Sequence, residues 1–258
     1  MSNPPNTTPA VSPARAVGLA FSFLTIVPVR FREGTVTPAD LAASRWAYPA
    51  VGAVIGLALA ALSGLLDRWG ASASVAAFLL VAAWAAIAGG LHLDGLADTA
   101  DGLFLSGGAE RRLAVMRDPR VGSFGVVALV LVILGKYAAL TSLGGKHRAL
   151  ALLGAAVVSR TLILVSAGSA SSARREGTGR PLIEATTRRD AQVAALLVLV
   201  LGMAFGRNPG LAAGAAALGL AWGLNRLAAR RIGGVTGDIL GALVELSELL
   251  FLVIVSGR

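Results

Sequence analysis

From Pro49 to Leu66 the chain runs 18 residues without a charged side chain, and from Ala71 to Gly90 it runs another 20. Runs of this length match the roughly 20 apolar residues with which a helix crosses a hydrocarbon core. Further apolar stretches follow at 121–143, 149–170, 191–206, 209–225 and 238–256, so seven candidate spans take up more than half the sequence. Composition agrees: 55% of the 258 residues are hydrophobic and only 14% are charged, with a mean hydropathy of +0.74. Soluble domains average about 25% charged residues, so both intrinsic disorder and an ordinary soluble domain are excluded. The expected fold class is all-α, a polytopic membrane helix bundle of about seven transmembrane helices.

The rest of the chain sets the topology. Segment 16–29, closing Thr25-Ile26-Val27-Pro28-Val29, is apolar but short and stops at a proline. It predicts a re-entrant or interfacial helix, with an eighth span as the alternative. Met1–Pro13 is rich in Pro, Ser and Thr and lacks the basic-then-apolar order of a signal peptide. The domain reading is therefore a disordered tail at 1–14 and a single integral-membrane domain at 15–258. Arg207-Asn208-Pro209 predicts a hairpin turn between two short spans.

The net charge of +9 would suggest nucleic acid in a soluble protein, but in a membrane chain it reflects Lys and Arg held in cytoplasmic loops. Placing the N-terminus inside leaves 16 basic residues on that face. Only Arg68, Lys146, Arg148, Arg207 and Arg258 fall on the other. No cysteine is present, which excludes disulfides, thiol nucleophiles and thiolate metal sites. Glycine pairs four apart (Gly52/Gly56, Gly210/Gly214, Gly219/Gly223, Gly237/Gly241) predict close helix packing and carry no chemistry.

The chemistry gathers between the second and third candidate spans, in His92-Leu93-Asp94-Gly95-Leu96-Ala97-Asp98-Thr99-Ala100-Asp101-Gly102. Spacings of four and seven place Asp94, Asp98 and Asp101 within about 60° of one another around a helix. Three carboxylates so close repel, and a cation would offset them. An oxygen-only set suits Mg²⁺, which takes one or two carboxylates together with water and substrate phosphates. A solvated acidic helix face is the plainer alternative. On a continuous helix His92 lies on the opposite side from the three carboxylates.

Arg111, Arg112, Arg117 and Arg120 follow in the same loop, and guanidinium groups fork onto phosphate oxygens. An acidic face followed by an arginine cluster is the layout of a Mg²⁺–diphosphate site. Retention of positive charge inside would also explain the arginines. A second basic loop, Arg174-Arg175-Glu176-Gly177-Thr178-Gly179-Arg180, can cover an anionic substrate from the same side. Lys136 and Arg160 lie inside spans, as do Glu245 and Glu248, and Asp238 stands one heptad before Glu245. Intramembrane charges face protein or water rather than lipid, so an Arg160–Glu pair holding the bundle is expected unless these groups join the site.

The stretch 90–102 resembles the signature of the cobalamin synthase family (cobalamin-5′-phosphate synthase, or adenosylcobinamide-GDP ribazoletransferase). So do Phe23-Leu24-Thr25 with Pro28-Val29, the Tyr48-Pro49-Ala50-Val51-Gly52 entry to the first span, and Met116-Arg117-Asp118-Pro119-Arg120. Gly233-Gly234-Val235-Thr236-Gly237-Asp238, Leu240-Gly241-Ala242, Glu245 and Glu248 complete the likeness, in family order. The resemblance implies a multipass inner-membrane transferase with its active site on the cytoplasmic side and Mg²⁺ as cofactor. It would join adenosylcobinamide-GDP to α-ribazole, or its 5′-phosphate, with release of GMP.

The catalytic set is then Asp94, Asp98, Asp101 and His92, with the three aspartates on the metal and Asp238, Glu245 and Glu248 as an alternative metal set. Substrate binding falls to Arg111, Arg112, Arg117, Arg120, Lys136, Arg160, Arg174, Arg175 and Arg180. The expected partners are those substrates and the lipid bilayer, with no nucleic acid. A second copy of the chain or other cobalamin-assembly enzymes are further candidates.

Two rivals remain at this stage. A CDP-alcohol phosphotransferase places Ala-Arg shortly after an Asp-Gly, whereas Asp94-Gly95 here leads to Leu96-Ala97-Asp98. A secondary transporter would spread its polar residues through both leaflets, whereas the strongest clusters gather at 92–120 and 171–190.

Overall fold

A computed structural model describes residues 12–29 and 36–257, and every regular element among them is helical. Most of the tail expected at 1–14 lies outside the described residues, as do Arg30, Arg32 and Arg258. Ser12 already belongs to the fold. Its hydroxyl accepts from the Arg15 amide and opens α1 (Pro13–Leu24), with Pro13 at the first turn. At 12 residues, about 18 Å, α1 is too short to span, in agreement with the interfacial expectation. A Thr37–Asp40 capping box starts α2 (Pro38–Ala43), and Arg15 reaches back to Asp40 at 3.2 Å.

The bundle proper begins with α3 (Tyr48–Arg68) and continues through α4 (Ala73–Ile87). A bend of 88° then separates α4 from α5 (Leu91–Phe104), which leads into the short α6 (Ala109–Val115). Next come α7 (Ser123–Ser142), α8 (Gly145–Ala167), the single-turn α9 (Arg180–Ala185), α10 (Arg188–Ile232) and α11 (Gly237–Ser256). Five segments (the run ending in α3, then α7, α8, α10 and α11) are long and apolar enough to cross a membrane. A sixth is the bent α4–α5 pair.

The 45 residues of α10 are a hairpin rather than one rod. Arg207 has φ 54° and ψ −140°, which reverses the chain. A β-carbon on Gly214 would stand 3.1 Å from the Val198 carbonyl oxygen. Along one continuous helix those residues would sit about 24 Å apart. Each of the seven predicted spans therefore coincides with a helix or with one arm of this hairpin.

At the centre is α8, buried along nearly all its length against α3, both arms of α10, and α11. Small residues permit this crowding. A side chain on Gly52 would overlap the Ala156 carbonyl, and one on Gly56 would reach Leu153 at 2.7 Å. The lipid-facing sides of α7 and α10 expose Leu131, Leu134, Leu196 and Trp222. Neighbouring spans run antiparallel, so the N-terminal ends of α7 and α11 and the C-terminal end of α8 lie together. That end carries the site.

Candidate active site

The path into the site turns on two glycines. Gly89 and Gly90 have φ of 61° and 71°, a left-handed backbone that glycine adopts without a Cβ clash. They break the apolar run after α4 and swing α5 across the end of the bundle. The backbones of α5 and α11 then cross nearly in contact: a β-carbon on Gly95 would lie 2.9 Å from the Asp238 carbonyl oxygen and 3.3 Å from the Gly241 Cα. This crossing brings Asp94 of α5 and Asp238 of α11 into the lining of one cavity of about 100 Å³, with His92 and Thr178. His92 is buried, and its Nδ1 has no hydrogen-bond partner among the described residues. α5 is one continuous helix, so His92 keeps the side expected for it, away from the mean direction of the three carboxylates, and the crossing α11 closes a cavity that His92 shares with Asp94.

The three aspartates of α5 meet different surroundings. Asp94 is exposed and Asp98 half-buried, and neither accepts a hydrogen bond from another described residue. Asp101 is buried: its Oδ2 accepts from the Gly122 amide at 2.7 Å and its Oδ1 from the Gly125 amide at 2.9 Å. It thereby caps α7, whose first amides lack intrahelical partners and carry the positive end of the helix dipole. Any side chain at position 122 or 125 would overlap the Asp101 carboxylate. Asp238, at the start of α11, pairs with Arg174 at 2.8 Å and accepts from the Thr236 hydroxyl at 3.2 Å. Burial, and then the neighbouring Asp94 and Asp238 carboxylates, push Asp98 up to about 7 against the opposing pull of Arg174.

Among the described residues no group of three or more His, Cys, Asp or Glu side chains converges as a ready metal cage. Mg²⁺ requires less, one or two carboxylates completed by water and substrate oxygens. Asp94 and Asp98, one turn apart and accepting no hydrogen bond from the described residues, could supply that donor set. The alternative set does not assemble. Asp238 stays with Arg174 at the bundle end, while Glu245 and Glu248 lie two turns deeper in α11 among cations of their own.

The arginines divide into braces and free groups. Arg112 is buried and donates to the carbonyls of Gly102 at 3.1 Å and Gly107 at 3.0 Å, and also to Leu103, closing the C-terminal end of α5. Arg120 is held by Asp118 at 2.7 Å, and Arg180 by Glu184 at 2.7 Å and the Arg175 carbonyl. Arg174 ties the second basic loop to α11 through Asp238 and to the Met116 carbonyl at 3.3 Å. Arg111, Arg117 and Arg175 are exposed and make no ion pair among the described residues. Arg174, Arg175 and Arg180 line a cleft of about 610 Å³ with Ser171 and Ser172. Both basic loops therefore lie on the end that carries Asp94 and Asp98.

Inside the bundle a separate polar cluster forms. Lys136 of α7 pairs with Glu245 at 2.6 Å and with Glu248, and its ammonium sits 4.8 Å from the Trp84 ring centre. Arg160 of α8 pairs with the other oxygen of Glu248 and meets the Ser159 hydroxyl at 3.0 Å. All four charged side chains are buried, and two positive against two negative leaves no net charge. This is the Arg160–Glu pair expected from the sequence, enlarged by Lys136. Sequence reasoning placed Lys136 and Arg160 on the substrate; the structure gives both of them carboxylate partners. It also missed the role of Gly122 and Gly125, although glycines three apart at the first turn of a span were the available signal.

A multipass helical membrane protein whose carboxylates and arginines converge on one end of the bundle is the class that fold and site define. The chain belongs to the cobalamin-5-phosphate synthase family, whose model matches residues 16–256. It is 44% identical over 237 residues to the adenosylcobinamide-GDP ribazoletransferase of Pseudomonas entomophila (strain L48), covering 91% of this chain and 96% of that protein. The enzymes of the same name from Pseudomonas fluorescens (strain Pf0-1) and Pseudomonas putida (strain W619) are each 40% identical. They cover 91% and 90% of this chain, and 96% and 94% of their own. No solved structure matches the chain.

Proposed function

We propose that this protein is an inner-membrane transferase that joins adenosylcobinamide-GDP to α-ribazole, or to its 5′-phosphate, on the cytoplasmic face. Membership in the family and the names of its relatives support the substrates. The observation that carries the chemistry is the pair of carboxylates, Asp94 and Asp98, left without hydrogen-bond donors among the described residues on a helix laid across the end of the bundle. A ribose hydroxyl attacks the phosphorus on the cobinamide side of the diphosphate. The bond to the bridging oxygen breaks, GMP leaves with that oxygen, and the hydroxyl proton passes to solvent. Such a transfer needs positioning and charge neutralisation rather than a protein nucleophile.

Asp94 and Asp98 would hold Mg²⁺, which when bound offsets the negative charge of the diphosphate and of the departing GMP. Arg111, Arg117 and Arg175 have donors free for phosphate oxygens. Arg112 and Arg174 hold the loops that carry them, and Asp101 fixes α5 to α7. The test uses purified protein with adenosylcobinamide-GDP and α-ribazole across a Mg²⁺ titration, with corrinoid products and GMP followed by chromatography. Metal-dependent, stoichiometric GMP and cobalamin are expected. Failure to form either product, with substrates and metal both present, would overturn the reading.

A further inference from the structure

The opposite end of the bundle carries a second basic site. A cavity of about 580 Å³ opens between the α7–α8 connection, the turn of the α10 hairpin and the end of α11. Its rim holds Lys146, His147 and Arg207, and its walls are Leu150, Phe205 and Val255. Among the described residues no acidic side chain lines it. The three basic side chains are exposed and make no ion pair among the described residues. The other described basic residue buried at this end, Arg148, is already held by Asp67 and Ser63.

Two features make this cluster hard to dismiss as ordinary surface. The sequence assigns only 5 basic residues to this face against 16 to the other, so positive charge is expected to be scarce here. Lys146 and Arg207 are two of those five, and they converge from separate elements on one cavity. Arg207 is also the only non-glycine with positive φ among the described residues. Its φ of 54° and ψ of −140° place it at a turn position that glycine fills without strain. Backbone strain of this kind persists where the side chain it carries has a use.

We propose that this cavity binds the phosphate of an anionic phospholipid. Lys146, His147 and Arg207 would meet the phosphodiester, and an acyl chain would lie along Leu150, Phe205 and Val255. The apolar walls below a basic rim favour an amphiphile over free phosphate, which would use the rim alone. The inference does not depend on the transferase reading, because the site lies at the other end of the spans.

The experiment is thermal unfolding of the full chain in an uncharged detergent with phosphatidylglycerol, phosphatidylcholine or inorganic phosphate added. Wild-type protein should gain about 3 °C or more from phosphatidylglycerol alone, since a ligand of the folded state raises the midpoint. Arg207→Gly relieves the backbone strain while removing the charge. It should start at an equal or higher midpoint and lose most of the gain. A double variant, Lys146→Gln with His147→Gln, tests the same rim without touching the turn and should also lose the gain. Equal gains in wild type and both variants would overturn the proposal, as would equal gains from phosphatidylcholine. A full gain from inorganic phosphate would transfer the site to a free anion and overturn the lipid assignment.

Discussion

Asp94, Asp98 and Asp101 share a face of α5, yet one carboxylate is exposed, one is half-buried and one is bonded to the first turn of α7. Their substitutions should therefore separate. Asp94→Asn and Asp98→Asn remove charge at near-constant size and should lower turnover by about 100-fold or more, with the yield of folded protein unchanged. Steady-state kinetics across a Mg²⁺ titration check this; wild-type turnover in both variants would leave the pair as solvated surface. Asp101→Asn presents one oxygen and one amide group to two backbone donors, so one donor loses its acceptor. A cost of about 1–3 kcal/mol is expected. It should appear as a lower melting temperature, while the Mg²⁺ concentration for half-maximal residual activity stays put. Arg160 poses the converse case. Truncation to Ala leaves Glu248 buried with only part of its charge balanced, at a cost of about 3–5 kcal/mol. Folded yield should fall with activity, and unchanged yield would remove Arg160 from the framework of the bundle.

Between elements, contact is set by glycines that look alike in the sequence. Gly52 faces the Ala156 carbonyl across the α3–α8 contact, whereas Gly219 and Gly223 have no atom within 4 Å of the position a β-carbon would take. Gly52→Ala should lower the melting temperature by prising α3 from α8. Gly219→Ala should raise or preserve it, since alanine favours a helix over glycine by about 1 kcal/mol. Equal effects from the two changes would contradict the packing. Here lies the limit of what the sequence makes legible. The spans, the hairpin at Arg207 and the Arg160–Glu pair follow from length, turn chemistry and the cost of a bare charge in lipid, all local quantities. The receptor for Asp101 was not legible, because it consists of backbone amides and is marked in the sequence only by two missing side chains. Nor was the His92 cavity, since its other wall is α11, about 145 residues further along.

For the whole molecule the outstanding quantity is the number of crossings, and it rests on two unusual elements. If both arms of α10 cross and α4 crosses once before the chain turns by 88° into α5, seven crossings put the two chain ends on opposite sides. If α4 and α5 dip in and return on the same side, six crossings put them together. The distribution of charge favours seven, because the segment before α3 then shares a side with the loops at 91–120, 171–190 and 226–237, which gathers 16 of the basic residues on one face. The ion pairs require the same sharing. Arg45, just ahead of α3, pairs with Asp190 in the first turn of α10 at 3.3 Å, so the segment before α3 lies on the face that holds the loop 171–190. Reporter fusions at position 110 and at the C-terminus should therefore give opposite signals, with position 110 cytoplasmic. Position 110 outside with the C-terminus inside would mean that α4 does not cross, because five crossings separate these two points in either case. It would then follow that Trp84 and the Lys136 ammonium beneath it lie in a re-entrant pocket rather than in the body of a span.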